Sequence, residues 1–221
     1  MNSAAPDAFL FDLDGTLVDS ERENIESVVL AVRRHGAEIS ADERQFVIGH
    51  SWNEIYEMIV RNHALPLTMP QLIAQAVDEK RKLLAVSGHR ALPGAVSAVK
   101  RFARTSKLAV VTGASTAEAR DSIAGVGLND YIALLVAAED YTHGKPSPEP
   151  YAQAIARLGA SAARSIAIED ATPGILSARA AGARVIAVRA GNFAGYDLSP
   201  ADLVVDTLDD VTDEVVARLL G

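Results

Sequence analysis

Residues 8–16 read AFLFDLDGT: a short apolar run from Ala8 to Phe11 that ends on Asp12 and breaks at Gly15. An apolar run of four to eight residues bounded by turn residues reads as a buried strand, predicted here at about Ala8–Asp12. The same kind of unit returns along the chain. Strands are predicted at about Lys107–Thr112, Ile132–Val136, Ser165–Glu169, Arg184–Val188 and Asp202–Val205. Helices fit between them at about Gly94–Arg104, Thr116–Val126, Pro148–Leu158, Pro173–Ala181 and Asp209–Leu219. Ser147 before Pro148 reads as an N-cap and a first helical residue, with Gly159 as the stop. Such alternation is the pattern of an α/β protein with a parallel sheet.

One stretch interrupts it. Roughly 90 residues after the first strand carry helical periodicity and no convincing strand before Lys107. Ser20-Glu-Arg-Glu23 has the form of a capping box, followed by Ile25, Val28, Val29 and Val32 on one helical face up to Gly36. Ser51-Trp-Asn-Glu54 has the same form and opens a run with Ile55, Met58 and Ile59. A third helix is predicted from Pro70 through Leu72, Ala76 and Leu83 to Gly88, and Ala91-Leu-Pro-Gly94 reads as the return linker. The stretch is too long for one crossover. A separate helical insert over residues 19–91 is therefore predicted, within a core made of 1–18 and 92–221.

Composition narrows the class. The 221 residues hold 29 acidic and 21 basic side chains, a net charge of −8, with 49% hydrophobic and 23% charged residues. That is an ordinary globular balance with a sizeable core. The acidic excess argues against nucleic acid or an anionic membrane as partner. With no cysteine, disulfides, thiolate metal sites and a Cys nucleophile are excluded. The start, MNSAAPDA, lacks the basic and apolar regions of a signal peptide. The longest strongly apolar run, Tyr131 to Ala138, is too short to span a bilayer. The expectation is a cytoplasmic protein, monomer or small homo-oligomer.

In open parallel sheets, ligands bind beyond the carboxyl ends of the strands. The first predicted strand ends in Asp12-Leu-Asp14-Gly-Thr16, the second in Thr112-Gly113 and the fourth in Glu169-Asp170, and the loop after the third carries Lys145. A parallel sheet brings these four carboxylates, a hydroxyl and a lysine to one edge. Crowded carboxylates repel unless a cation sits among them or a proton is shared. All the hard donors are oxygens, with no close histidine pair, so Mg²⁺ is the expected cation. The lysine and the strand-end hydroxyl would hold an anion beside it, which makes a phosphate site. Asp12 suits a nucleophile that forms an aspartyl-phosphate, and Asp14 an acid and base serving the leaving oxygen and then water. The helical insert, opening just after Asp19, suits a lid.

Four segments, FDLDGTLVDS (11–20), VVTGAS (110–115), GKPSPEPY (144–151) and IEDATPGILSARAAG (168–182), stand in this order over most of the chain. Together they resemble the haloacid dehalogenase superfamily, in its phosphatase branch with a small helical cap. The resemblance implies a Rossmann-like catalytic core with the insert as cap. It makes Asp12 the phosphoryl acceptor and Asp14 the acid/base, with Thr112, Gly113 and Lys145 around the phosphoryl group. It implies Mg²⁺ bound by Asp12, the backbone carbonyl of Asp14 and Asp170, with Glu169 a direct or water-mediated partner. Ala171 departs from relatives that carry Ser or Thr there, which implies one hydrogen bond fewer beside the metal. Carbon–halogen dehalogenases of this family lack an aspartate at the position of Asp14, and phosphonate-cleaving relatives have alanine. Asp14 thus implies transfer from an oxygen ester.

The expected function is hydrolysis of a small phosphorylated metabolite: a sugar, polyol or glycolate phosphate. Gly113 stands where glycolate-specific relatives often carry asparagine, which disfavours glycolate. In the cap, Asn24, His50 (in Ile-Gly-His-Ser, after Gly49), Trp52 and Lys80 are the candidate substrate contacts. Each has an ordinary alternative: a solvated face for Asn24, His50 and Lys80, core packing for Trp52. The enzyme alternative is a phosphomutase of the β-phosphoglucomutase type, which implies a cap histidine where Asn24 stands and an arginine near Trp52. A catalytically inactive metabolite sensor or protein-binding module is the alternative from another class.

Overall fold

In the computed structural model the described residues are 5–48 and 50–221. The first four residues, part of the segment read for a signal peptide, and Gly49 of the predicted cap loop lie outside them. The chain divides into two compact units, one running up to Asp19 and resuming at Arg90–Gly221, the other Ser20–His89.

The first unit begins with β1 (Ala8–Phe11) and a two-residue β2 (Val18–Asp19). The second unit holds α1 (Glu21–Arg33), α2 (Ala41–Val47), α3 (Trp52–Asn62) and α4 (Met69–Ser87). The first then resumes with β3 (Arg90–Ala91), α5 (Ala95–Phe102), β4 (Lys107–Val111), α6 (Thr116–Gly125), β5 (Leu134–Val136) and α7 (Glu149–Leu158). It closes with β6 (Ser165–Glu169), α8 (Thr172–Ala180), β7 (Arg184–Val188), β8 (Leu203–Val205) and α9 (Asp213–Leu220).

Six strands make one sheet in the order β5-β4-β1-β6-β7-β8, every neighbouring pair parallel. The predicted α/β class with a parallel sheet is borne out. β1 is central, and all four of its residues are buried. Its alternation serves two cores: Phe9 and Phe11 join one cluster with Phe102, Ile166, Ile168 and Ile186, while Ala8 and Leu10 join the other with Tyr151, Ile175 and Val185. A strand covered on both faces is apolar throughout, which is why it reads as a continuous run. The chain leaves β1 toward β4 and β5, then returns to build β6, β7 and β8 on the other side. The strand order therefore reverses beside β1, and in open parallel sheets ligands bind beyond the carboxyl ends at such a point.

Local departures from the predicted elements have local causes. The two-residue strands β2 and β3 pair antiparallel, Val18 with Ala91 and Asp19 with Arg90, where only a linker was expected. The predicted helix Asp209–Leu219 is a single turn at Leu208–Asp210 followed by α9, because the Thr212 side chain accepts from Val215 N–H and starts the helix afresh. Pro148, not Ser147, caps α7, and Ser147 Oγ accepts from Glu149 N–H at 3.3 Å. Ser20 makes no side-chain cap bond, so the first expected capping box is not formed. The Ser51–Glu54 box is, and a second forms at Ser40–Glu43, opening the unpredicted α2. The helical unit has its own core of Val28, Val29, Val32, Ile55, Ile59 and Leu72. Among the described residues no helix is long and apolar enough to cross a membrane.

Candidate active site

Three adjacent strands, β4, β1 and β6, end side by side, and their register is set by pairing of Phe11 with Val110 and with Ile168. Beyond that level stand Val111 and then Thr112 at the end of β4, Asp12 after β1, and the pair Glu169-Asp170 at the end of β6. Asp12 is still tied to the sheet by its N–H, which donates to Ile168 O at 3.0 Å. Carboxylate oxygens of Asp12, Glu169 and Asp170 lie within 4.8 Å of one another. Asp14, the fourth predicted acid, is not in that group; it bridges to Val18 across the tight turn after the strand.

The turn needs glycine. Gly15 has φ +83°, and a Cβ there would lie 2.3 Å from Asp170 Oδ2. Gly174, in the first turn of α8, has the same office for Glu169: a Cβ would come within 1.9 Å of Oε1. Thr16 is fully buried and donates to Asp170 Oδ1 at 3.5 Å.

Lys145 reaches into this group from the loop before α7. Its ammonium donates to Asp12 Oδ1 at 2.5 Å, Glu169 Oε1 at 2.6 Å and Val111 O at 3.0 Å. Thr112 is buried, and its Oγ1 accepts from Ala114 N–H at 3.0 Å, so the hydroxyl proton remains to donate elsewhere. Its carbonyl accepts from Tyr141 Oη at 3.0 Å, and Gly113 is exposed.

The electrostatics are those of an incomplete set. Burial, with the neighbouring Glu169 and Asp14 charges and against the pull of Lys145, pushes Asp12 up to about 8. Burial, with the Asp12 and Glu169 charges, pushes Asp170 up to about 9. Burial works against the charge of Lys145, but Asp12 and Glu169 outweigh it and hold its pKa well above the ordinary value. Clustered acids raised in this way mark a functional site more often than a structural one. An all-oxygen donor set carrying this much repulsion fits a hard divalent cation.

The four predicted cap contacts all belong to the helical unit. Asn24, on α1, donates to Ser20 Oγ at 3.5 Å. The exposed His50 stacks on Phe46 with ring centroids 3.8 Å apart, and its Nδ1 lies 3.2 Å from Ile48 O. Trp52, the first residue of α3, packs half-buried against the helical core, and Lys80 is half-buried on α4. His63 lies 2.9 Å from Glu43 Oε1.

Sequence reading missed Tyr151. Its hydroxyl donates to Glu169 Oε1 at 2.6 Å from within the core. The tyrosine was part of the quoted GKPSPEPY segment, but nothing in its spacing separates it from an ordinary core aromatic.

The pattern of the haloacid dehalogenase-like hydrolases matches residues 9–188, and the chain belongs to that family. It is 30% identical over 218 residues to validoxylamine A 7'-phosphate phosphatase of Streptomyces hygroscopicus subsp. limoneus, covering 91% of this chain and 94% of that one. It is 31% identical over 219 residues to hexitol phosphatase A of Escherichia coli (strain K12), covering 92% of each. In fold it is similar to the crystal structure of CbbY from Rhodobacter sphaeroides in complex with phosphate, at 21% identity. The TM-score is 0.84, over 96% of this chain and 99% of that one. The expected family and hydrolase class are thus borne out, and the chain is an enzyme of the phosphatase kind.

Proposed function

We propose that the protein is a Mg²⁺-dependent phosphatase that hydrolyses a small phosphate monoester, a sugar or polyol phosphate before glycolate phosphate, through an aspartyl-phosphate on Asp12. The sheet unit is the catalytic core and the helical unit its cap. The observation that carries this reading is the buried cluster of Asp12, Glu169 and Asp170 within 4.8 Å, with Lys145 Nζ 2.5 Å from Asp12.

Asp12 attacks phosphorus, and the bond to the ester oxygen breaks. Asp14 protonates the leaving oxygen, then takes a proton from the water that cleaves the aspartyl-phosphate. Lys145 and the Thr112 hydroxyl, with the backbone N–H of Gly113, bind the transferring oxygens. Asp12, Asp170 and the carbonyl of Asp14, with Glu169 beside them, would hold Mg²⁺, which would supply charge neutralisation to those oxygens. Burial and the neighbouring carboxylates raise Asp12 in the cation-free protein, and a bound divalent cation would favour its charged, nucleophilic form.

The test is phosphate release from a panel of phosphorylated metabolites, with and without Mg²⁺, beside the Asp12→Asn protein. Release that needs Mg²⁺ and vanishes in the variant supports the reading and ranks the substrates. Wild-type rates in Asp12→Asn would overturn the nucleophile.

A further inference from the structure

Tyr151 is the largest fully buried side chain among the described residues. It projects from α7 onto the sheet face that carries Ala8, Ala109 and Ala167, where small side chains leave room for a ring. Phenylalanine would satisfy that packing, and a buried hydroxyl costs stability unless it is hydrogen-bonded. Its partner is Glu169 Oε1, 2.6 Å away, the same oxygen that accepts from Lys145 Nζ at 2.6 Å. The Lys145 ammonium also lies 5.1 Å from the Tyr151 ring centroid, within cation–π reach.

We propose that Tyr151 is a positioning residue of this site: its hydroxyl holds the Glu169 carboxylate, and its ring and that carboxylate together hold Lys145 against Asp12. The proposal rests on the phosphatase reading above and deepens it.

The ammonium of Lys145 has three protons and three acceptors, Asp12 Oδ1, Glu169 Oε1 and Val111 O, so its place depends on where each acceptor is fixed. Val111 O is fixed by the sheet. Glu169 is a side chain, closed behind by Gly174, where a Cβ would overlap its carboxylate. α8, which carries Gly174, is tied to the segment before α7 by Ser177 Oγ donating to Ser147 O at 2.5 Å. Tyr151 Oη adds the second donor on Oε1. Without it that oxygen is held by Lys145 alone, and the carboxylate loses the contact that fixes it independently of the lysine it positions. Small misplacements of a charged group at a reacting centre cost large factors in rate.

The test is Tyr151→Phe, which keeps the ring and removes the donor. Expected are a fall in kcat of about 10-fold or more and weaker thermal stabilisation by orthovanadate with Mg²⁺. In the Glu169→Leu background, which has no acceptor for the hydroxyl, the same change should cost less than about 2-fold, because the residues act as one unit. Para-aminophenylalanine at position 151, which restores a donor at the ring tip, should recover much of the lost rate. A lower melting temperature with unaltered kcat and orthovanadate response would overturn the proposal, and so would an undiminished effect in the Glu169→Leu background. Should Tyr151→Phe not fold, the para-amino protein is compared with one carrying para-methylphenylalanine at position 151, of similar shape with no donor. A higher kcat with the amino group supports the proposal, and equal rates overturn it. If wild type with Mg²⁺ neither releases phosphate nor responds to orthovanadate, the phosphatase reading itself fails and the proposal with it. If wild type does both and Tyr151→Phe matches it, only the role of Tyr151 fails.

Discussion

Glu43 in the helical unit and Asp170 at the end of β6 expose similar fractions of their surface, 8% and 9%, but Asp170 lies far deeper, and their carboxyls behave in opposite ways. Burial works to raise Glu43, but hydrogen bonds from Ser40, Asn62 and His63 outweigh it and hold the group at about 2. Asp170 has the long bond from Thr16 and two acidic neighbours, and burial with their charges pushes it up to about 9. One acid is completed by the fold around it. The other belongs to a cluster of like charges that the fold assembles with few donors around it. Protein stability is given up where a site is preorganised for charge that arrives from outside.

The sharpest way to break this contrast is Asp12→Asn. Turnover should fall by about 1,000-fold or more, since no nucleophile remains. Melting at pH 8 without divalent cation should hold level or rise, because a buried charge has been removed. A drop in both would mean that Asp12 is structural, as Glu43 is. Glu43→Ala should do the reverse, costing about 3 kcal/mol by leaving Ser40 N–H, the Asn62 amide and His63 without their acceptor. Urea unfolding measures it, and a cost under about 1 kcal/mol would deny the completed-acid description.

The two regions should also carry opposite pH slopes. Asp12 and Asp170 are raised from 3.8, so the folded cation-free protein holds protons that the unfolded chain has lost. Their contribution is fully present below about pH 4 and is lost as pH rises toward 8 to 9. Glu43 is lowered from 4.5, so its contribution is present above that value and is lost as pH falls toward 2. Melting curves from pH 3 to 9 should show the first loss reversed by Mg²⁺, with a stabilisation that grows as pH rises through 6 to 8.5. A Mg²⁺ effect independent of pH would argue that the cation does not bind these carboxylates. The smallest effect is Ser51→Ala, about 1 kcal/mol for a capping box on the rim of the helical unit, with phosphate release unchanged.

How far the sequence carries can be judged from these same residues. The strand that ends in Asp12 was legible because a central parallel strand is apolar on both faces, and that leaves a contiguous run. The acids, the threonine and the lysine were legible because strand ends are where chemistry collects in this architecture. Three Ser-x-x-Glu patterns occur in the insert region, at Ser20, Ser40 and Ser51, and all three have the same letters. Only Ser40 and Ser51 form the box, Ser20 having the helical backbone angles φ −112° and ψ 0° in place of an extended cap. The helix behind Ser40 was overlooked although its cap was written out, since seven residues carry too short a periodicity to register.

Alternation of apolar runs, the order of four motifs and the residue types at strand ends are local properties, so the α/β class, the family and the hydrolytic class can be read from the chain as a string. The distance between Asp12 and Asp170 is not local. It depends on β6 returning to the side of β1 opposite β4, and with it come the mutual repulsion and the raised pKa values. The pairing of Glu43 with Asn62 and His63 likewise required α2 and α3 to meet. Tyr151 shows the limit most plainly. Its letter is that of any core aromatic, and only the juxtaposition of α7 with the end of β6 sets its hydroxyl on Glu169, because what a buried polar atom does is decided by the partner that packing brings to it.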